Sequence, residues 1–184
     1  MDNGADSYRR YLNGDDSGFV EIVRDYKDGL IFYIESFVRE LSLAEELAED
    51  TFVRLGVKKP RFSEKSSFRT WLYAIGRNVA IDELRKRAKH PAAALEDEAV
   101  SSDLETLENA YLREERKIIV HQAMRRLKPE YRQVLWLIYF EGFSCRDAAK
   151  IMRKSTHNIE TLAYRARQAL KAELIGEGFQ NEDI

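Results

Sequence analysis

Apolar residues recur along most of the chain at spacings of three and four, and nowhere in a sustained one-on, one-off alternation, so the pattern predicts helices and no sheet. Residues 1–16 carry Gly4, Gly14 and little periodicity, and read as a tail or a short leading helix. Phe19, Ile22, Val23, Tyr26, Leu30, Tyr33, Ile34 and Phe37 then mark a long amphipathic helix. A second helix at about 42–56 has Ala44, Leu47, Ala48, Thr51, Phe52 and Leu55 as its inner face. The connection 57–65 is basic and broken by Pro60. A third helix begins near Ser66 or Ser67 and buries Phe68, Trp71, Leu72, Ile75, Val79 and Leu84. It stops at His90-Pro91, because the residue before a proline is pushed out of the α region.

The stretch that follows is acidic and free of aromatics, and reads as a linker over 91–106. Roughly 15 residues at about 3.4 Å each reach on the order of 50 Å, enough to hold two modules well apart. Periodicity resumes with Leu104, Leu107, Tyr111, Ile118, Ile119 and Met124. Leu127-Lys128-Pro129 interrupts it, and Pro129 suits the first position of a new helix. Tyr131, Val134, Leu135 and Ile138 form that helix's buried stripe, and Gly142 ends it. The expected organisation is all-α: a 1–16 tail, a helical domain over 17–90, the linker, a second helical domain over 107–178 and a 179–184 tail.

Residues 141–171 read as two short helices joined by a tight turn. The first opens at Ser144, with Asp147 three residues on, the spacing of a capping box. Ala148, Ala149 and Ile151 give it a small inner face that a second helix can cross closely. After the polar corner Arg153-Lys154-Ser155-Thr156, where Ser155 or Thr156 can cap, the next helix buries Ile159, Leu162, Ala163, Ala166 and Leu170. Its other side presents His157, Asn158, Glu160, Thr161, Tyr164, Arg165, Arg167, Gln168 and Lys171. A helix held by one face and offering basic and amide groups on the other can enter a DNA major groove.

Hydrophobic residues make up 44% of the 184 and charged residues 34%, as in a soluble helical protein. No run approaches the roughly 20 apolar residues of a membrane span, the first residues lack the apolar core of a signal peptide, and the single Cys145 excludes an internal disulfide framework. A reducing cytoplasm is therefore expected. The net charge of −2 hides four alternating blocks: −7 over 1–57, +4 over 68–90, −6 over 91–116 and +5 over 144–171. Two basic blocks separated by an acidic one suggest two DNA-contacting surfaces and at least one other partner.

Glu45, Glu46, Glu49 and Asp50 put four carboxylates on one face of the second helix, opposite its apolar stripe. E-E-x-x-E also resembles the first motif of all-α metal-dependent nucleotide pyrophosphohydrolases. That family needs a second pair a turn apart on the following helix, of the form E-x-x-D. The next helix here offers Asp82 and Glu83 instead, the nearest such pair, Glu105 and Glu108, lies beyond the linker, and no glycine-rich cradle exists to bring the phosphate that magnesium requires. Like charges in adjacent turns destabilise a helix by a few tenths of a kcal/mol per pair, so a basic partner explains the face better. The third helix mixes aromatics with base: Tyr73, Arg77, Asn78 and Asp82 lie off its apolar stripe and can meet single-stranded bases, while Arg85, Arg87 and Lys89 suit phosphates. His90, His121 and His157 are scattered, and Cys145 has no nearby base and reads as half-buried filler. No catalytic residue, metal or cofactor is expected. A stand-alone helix–turn–helix regulator remains the alternative.

Three separated segments resemble the extracytoplasmic-function (ECF) group of the sigma-70 family, bacterial sigma factors reduced to a promoter-opening domain and a −35-binding domain. AEELAEDTFVRL at 44–55 is similar to that family's region 2.2, and FRTWLYAIGRNVAIDELRKRAK at 68–89 to regions 2.3 and 2.4, with Phe68, Trp71, Leu72, Ile75, Asn78, Asp82 and Arg85 at the motif positions. Residues 127–170 are similar to region 4. The resemblance implies a region 2 bundle and a region 4 helix–turn–helix in an alternative sigma factor, with no chemistry of its own. Glu45, Glu46, Glu49, Asp50 and Arg54 would dock on the clamp of the largest subunit of core RNA polymerase, and region 4 on the flap of the second-largest. Tyr73, Arg77, Asn78, Asp82, Arg85, Arg87 and Lys89 would hold the opened −10 element. Arg153, Lys154, Ser155, His157, Asn158, Glu160, Thr161, Arg165, Arg167 and Lys171 would face the −35 element. The acidic linker would thread the polymerase's nucleic-acid channel. A separate anti-sigma factor and a cytoplasmic, nucleoid-associated location follow by the same analogy.

The chain departs from the family at three positions. Arg153 stands where glycine is usual in the corner, and a left-handed arginine there costs on the order of 1 kcal/mol, so either the turn differs or Arg153 meets phosphate. Glu160 occupies a position often basic, where a carboxylate can accept from cytosine N4 or sit beside an arginine. Gly76 replaces a better helix former.

Overall fold

The computed structural model describes residues 3–89 and 119–176, and these form helices and connections with no strand. Helix α1 spans Asn3–Leu12, α2 Ser17–Val38, α3 Leu41–Lys58 and α4 Phe68–Lys89. The described part of α5 is 119–126, followed by α6 at Pro129–Leu135, α7 at Cys145–Met152 and α8 at Thr156–Gly176. The linker, the periodic positions from Leu104 to Ile118 and His90-Pro91 lie outside the described residues.

The first sixteen residues are more than a tail. Gly4, Ser7 and Tyr8 are the buried positions of α1, one helical turn apart, and they seat it on α2. The Tyr8 hydroxyl donates to the Pro60 carbonyl at 2.7 Å, tying the leader to the loop before α4. Burial, with Tyr11 nearby, pushes the Tyr8 phenol up to about 12. Around it Phe62, Phe68 and Trp71 pack with ring centroids 5.1 to 5.7 Å apart.

Helix α4 starts where a cap is available: the Thr70 backbone N–H donates to Ser67 Oγ at 3.1 Å. Phe68, Leu72 and Val79 are fully buried as expected, whereas Trp71, Ile75 and Leu84 are partly covered. Gly76 has a packing cause. A Cβ there would lie 2.8 Å from Leu30 Cδ1, so glycine lets α4 cross α2 at close range.

In the second half, Pro129 opens α6 as expected. The helix then widens into a π-turn over Trp136–Phe140, which brings Trp136 and Phe140 into a parallel stack at 4.4 Å. Gly142 terminates it at φ +67°, and the Phe143 N–H returns to the Leu137 carbonyl at 2.8 Å.

The periodicity gave no hint that the two halves pack together. Helix α2 lies against α6 and α4 against α7, and one hydrophobic cluster runs from Tyr8 to Ala166. Two buried residues of α6 lie outside its expected stripe and are polar. Arg132 and Gln133 are only 2% and 3% exposed. Arg132 crosses the seam to donate to the Ser36 carbonyl at the end of α2, and also to the Arg125 and Leu127 carbonyls. No carboxylate among the described residues bonds it. Burial first, then the nearby Arg39, brings its guanidinium down to about 10.

Candidate nucleic-acid and protein-docking surfaces

The acidic face comes first along the chain. Leu43, Ala44, Leu47, Ala48, Thr51, Phe52 and Leu55 turn α3 inward, which leaves Glu45, Glu46, Glu49 and Asp50 exposed on the outer side with Arg54 at its margin. None of the four carboxylates has an ion-pair or hydrogen-bond partner among the described residues. Nor do three His, Cys, Asp or Glu side chains converge anywhere there to hold a metal. Unpaired like charges on adjacent turns are the arrangement that a basic protein surface relieves.

The residues expected on the −10 element share one helix but not one environment. Asp82, Arg85 and Lys89 are exposed and Asn78 is half-buried. Asp82 and Arg85 stand 3.7 Å apart, a loose exposed pair that leaves both free to meet DNA. Arg77, Asn78, Ile81, Asp82 and Arg85 line a cleft of about 310 Å³ whose opposite wall is Arg153 from the α7–α8 corner. Three of the expected residues are engaged within the chain in this structure. Tyr73, expected to be available for base stacking, is 1% exposed, and its hydroxyl donates to Glu141 Oε2 at 2.7 Å. The second half of the chain covers it, and burial, reinforced by Glu141, pushes its phenol above the ordinary tyrosine range. Arg87, expected on phosphate, is instead held by Glu40 at 3.1 Å and Glu83 at 3.5 Å. Arg77 is likewise engaged, donating from Nε to Gln133 Oε1 at 3.0 Å.

The helix–turn–helix forms as its sequence predicts. Ser144 caps α7, its Oγ accepting from the Asp147 N–H at 3.1 Å while donating to the Asp147 carboxylate at 2.6 Å. Ser155 caps α8 by accepting from the Asn158 N–H at 3.2 Å. Ile159, Ala163 and Ala166 are buried, Leu162 and Leu170 partly so. The corner does adopt the left-handed conformation, at Arg153 with φ +54°. His157, Asn158, Glu160, Arg165 and Arg167 are exposed, Thr161 and Lys171 half-exposed, and no side chain among them has a bonding partner among the described residues. Lys154 departs from the expectation: its ammonium lies 3.1 Å from Glu130, which draws it back onto α6. Cys145 is half-buried, as filler should be.

Sequence reasoning missed four residues that the fold makes central. Arg69, Arg132, Gln133 and Glu141 join the two halves. Nothing in a 3.6-residue period distinguishes a polar side chain that crosses a seam from one that faces water. Glu141 stood beside the helix-ending Gly142, the one local hint that its direction was fixed.

Residues 22–90 match the family description Sigma-70 region 2, and residues 117–170 match Sigma-70, region 4. The chain is 31% identical over 170 residues to the RNA polymerase sigma-H factor of Pseudomonas aeruginosa, covering 88% of each. It is 28% identical over 177 residues to the ECF RNA polymerase sigma factor SigW of Bacillus subtilis, covering 90% of this chain and 94% of that one. Among solved structures it is similar to the sigma factor RpoE bound to the anti-sigma factor NepR from Bartonella quintana, with a TM-score of 0.68 and 25% identity over 85% of this chain and 96% of that one. The fold is also that of CnrH in complex with the cytosolic domain of CnrY, at a TM-score of 0.66 and 23% identity over 96% and 97% of the two chains.

Proposed function

The chain belongs to the ECF group of the sigma-70 family, and we propose that its acidic α3 face docks on core RNA polymerase while α4 and α8 hold the two promoter elements. As a sigma factor it is a transcription initiation factor that works with core polymerase on promoter DNA. The division of labour among its surfaces is the proposed part. Glu45, Glu46, Glu49, Asp50 and Arg54 meet the basic clamp of the largest subunit, and region 4 meets the flap. Asn78, Asp82, Arg85 and Lys89 take the opened −10 strand, joined by Tyr73, Arg77 and Arg87 once their present contacts are released. His157, Asn158, Glu160, Thr161, Arg165, Arg167 and Lys171 face the −35 duplex, with Arg153, Lys154 and Ser155 at its edge.

One observation carries this reading. The outer faces of α3 and α8 hold charged side chains that no described residue pairs, acidic on one and mostly basic on the other, each on a helix locked by its apolar side. Such faces are built for surfaces of opposite charge, a basic protein and a DNA backbone. Proposed boundaries follow: region 2 over 17–90 with α1 docked on it, a linker over 91–106 and region 4 over 107–178. No described helix is long and apolar enough to cross a membrane. We place the protein in the cytoplasm with the polymerase, without catalytic activity of its own and with an anti-sigma factor as its regulator.

The test is co-purification with core polymerase, followed by run-off transcription on a promoter library. Glu46→Lys with Asp50→Lys should abolish co-purification while leaving the helical circular-dichroism signal intact. Retained binding would remove α3 as the docking face. A tight, palindrome-dependent gel shift without polymerase would instead favour the stand-alone regulator.

A further inference from the structure

Glu141 occupies a built seat. Its carboxylate accepts from the Arg69 guanidinium and, at 2.7 Å, from the Tyr73 hydroxyl, while Arg69 Nη1 also donates to the Glu141 backbone carbonyl at 2.7 Å. Arg69 lies over the Phe143 ring at 4.4 Å, which fixes the guanidinium from the side of the second half. Helix α2 supplies the floor. A Cβ at Gly29 would lie 3.1 and 3.3 Å from the two carboxylate oxygens and would collide with the Tyr73 hydroxyl. Glycine in a helix interior is unfavourable on propensity alone, and here the seat explains it. The Glu141 side chain is 11% exposed and that of Arg69 36%, so the pair is covered but lies at the edge of the seam.

Arg69, Tyr73 and Arg77 follow one another at four-residue intervals and so form one stripe of α4. The second half covers that whole stripe, Glu141 taking Arg69 and Tyr73 and Gln133 taking Arg77. The seam is also imperfect. Arg132 Nη2 and Trp136 Nε1, two buried side-chain atoms lacking a partner among the described residues, lie in α6 and the π-turn that meet α2 there. Within the seam the two halves share one hydrophobic cluster, and the Arg69, Tyr73 and Glu141 bonds close its exposed edge.

We propose that Glu141 is an intramolecular latch: in the free protein it holds region 4 over the promoter-facing stripe of α4, and on opening Arg69 exchanges this carboxylate for a phosphate of the promoter strand. The inference rests on the reading of α4 as the −10 helix. It makes Arg69 a further DNA-backbone residue, and it accounts for the burial of Tyr73, whose hydroxyl the same carboxylate holds.

The test uses the full chain with Cys145→Ser and dyes on Val57→Cys and Ile175→Cys, two exposed positions on opposite halves. Glu141→Arg should lower energy transfer, shifting the closed-to-open ratio by at least about tenfold, the worth of one charge-assisted hydrogen bond. Adding Arg69→Glu, which swaps the charges, should restore transfer. Should Glu141→Arg not fold, Glu141→Gln should give a smaller shift in the same direction. A folded Glu141→Arg with unchanged transfer overturns the latch. For the phosphate exchange the probe is a labelled single-stranded DNA 20-mer of mixed sequence. Glu141→Gln should tighten its binding, and adding Arg69→Gln should cancel the gain. A gain that survives Arg69→Gln overturns the exchange. A protein that opens yet binds the 20-mer no better leaves the latch supported and counts against α4 as the −10 helix.

Discussion

Replacing Gly76 by alanine should reverse its effect on stability according to what stands at position 30. Alanine in place of glycine in a helix interior is worth about 1 kcal/mol in favour of folding. Here the new methyl would sit 2.8 Å from Leu30 Cδ1, with Cδ2 and Cγ at 3.5 Å and the leucine fully buried. Relieving that overlap means pushing α2 from α4 or forcing Leu30 off its rotamer, at a cost of about 1–3 kcal/mol. The sum is a net loss of up to about 2 kcal/mol in the natural background. With Leu30→Ala, which alone costs about 2–5 kcal/mol, the obstruction is gone and Gly76→Ala should stabilise by about 1 kcal/mol. Urea unfolding of the four proteins, followed by far-ultraviolet circular dichroism, yields a coupling of about 1–3 kcal/mol if the close crossing is real. Additive behaviour, with Gly76→Ala stabilising both backgrounds equally, would refute the argument that glycine is there for proximity. The position adjoins Arg77 and Asn78, so the spacing of the two helices also sets where the promoter-facing groups stand.

Arg153→Gly should stabilise the protein by about 0.5–1 kcal/mol, because it relieves the left-handed arginine at φ +54°, while weakening duplex binding if that guanidinium reaches phosphate; thermal melts and gel shifts separate the two effects. Ser144→Ala should lower stability by about 1 kcal/mol through loss of the α7 cap, and an unchanged melting temperature would mean the cap is dispensable. Arg165→Ala should weaken −35 binding at every sequence and flatten its salt dependence, whereas Glu160→Gln should alter preference at one base pair. Uniform loss from both in a binding-site selection would rule out base readout by Glu160.

The sequence alone determined what depends on a few residues in a row. The 3.6-residue period placed α2, α3, α4 and α8 to within a few residues of their ends, and the Ser144 cap, the Pro129 start and the Gly142 stop acted locally and held. The unpaired faces of α3 and α8 were equally legible, since a helix fixed by its apolar side leaves its other side no choice. What the tertiary structure decided was every property that requires two distant segments to meet. Tyr73 reads as a free aromatic until Glu141 arrives from 68 residues away. Arg87 reads as a free cation until Glu40 does, and Gly76 reads as a weak helix former until Leu30 stands opposite. Arg132 stands beside Gln133 in a helix that Tyr131, Val134 and Leu135 already account for, so only the carbonyls it reaches reveal that it is buried. Periodicity encodes which side of a helix faces inward. It carries no information about which polar groups find each other across a seam, because that depends on rigid-body packing rather than on neighbours in the chain.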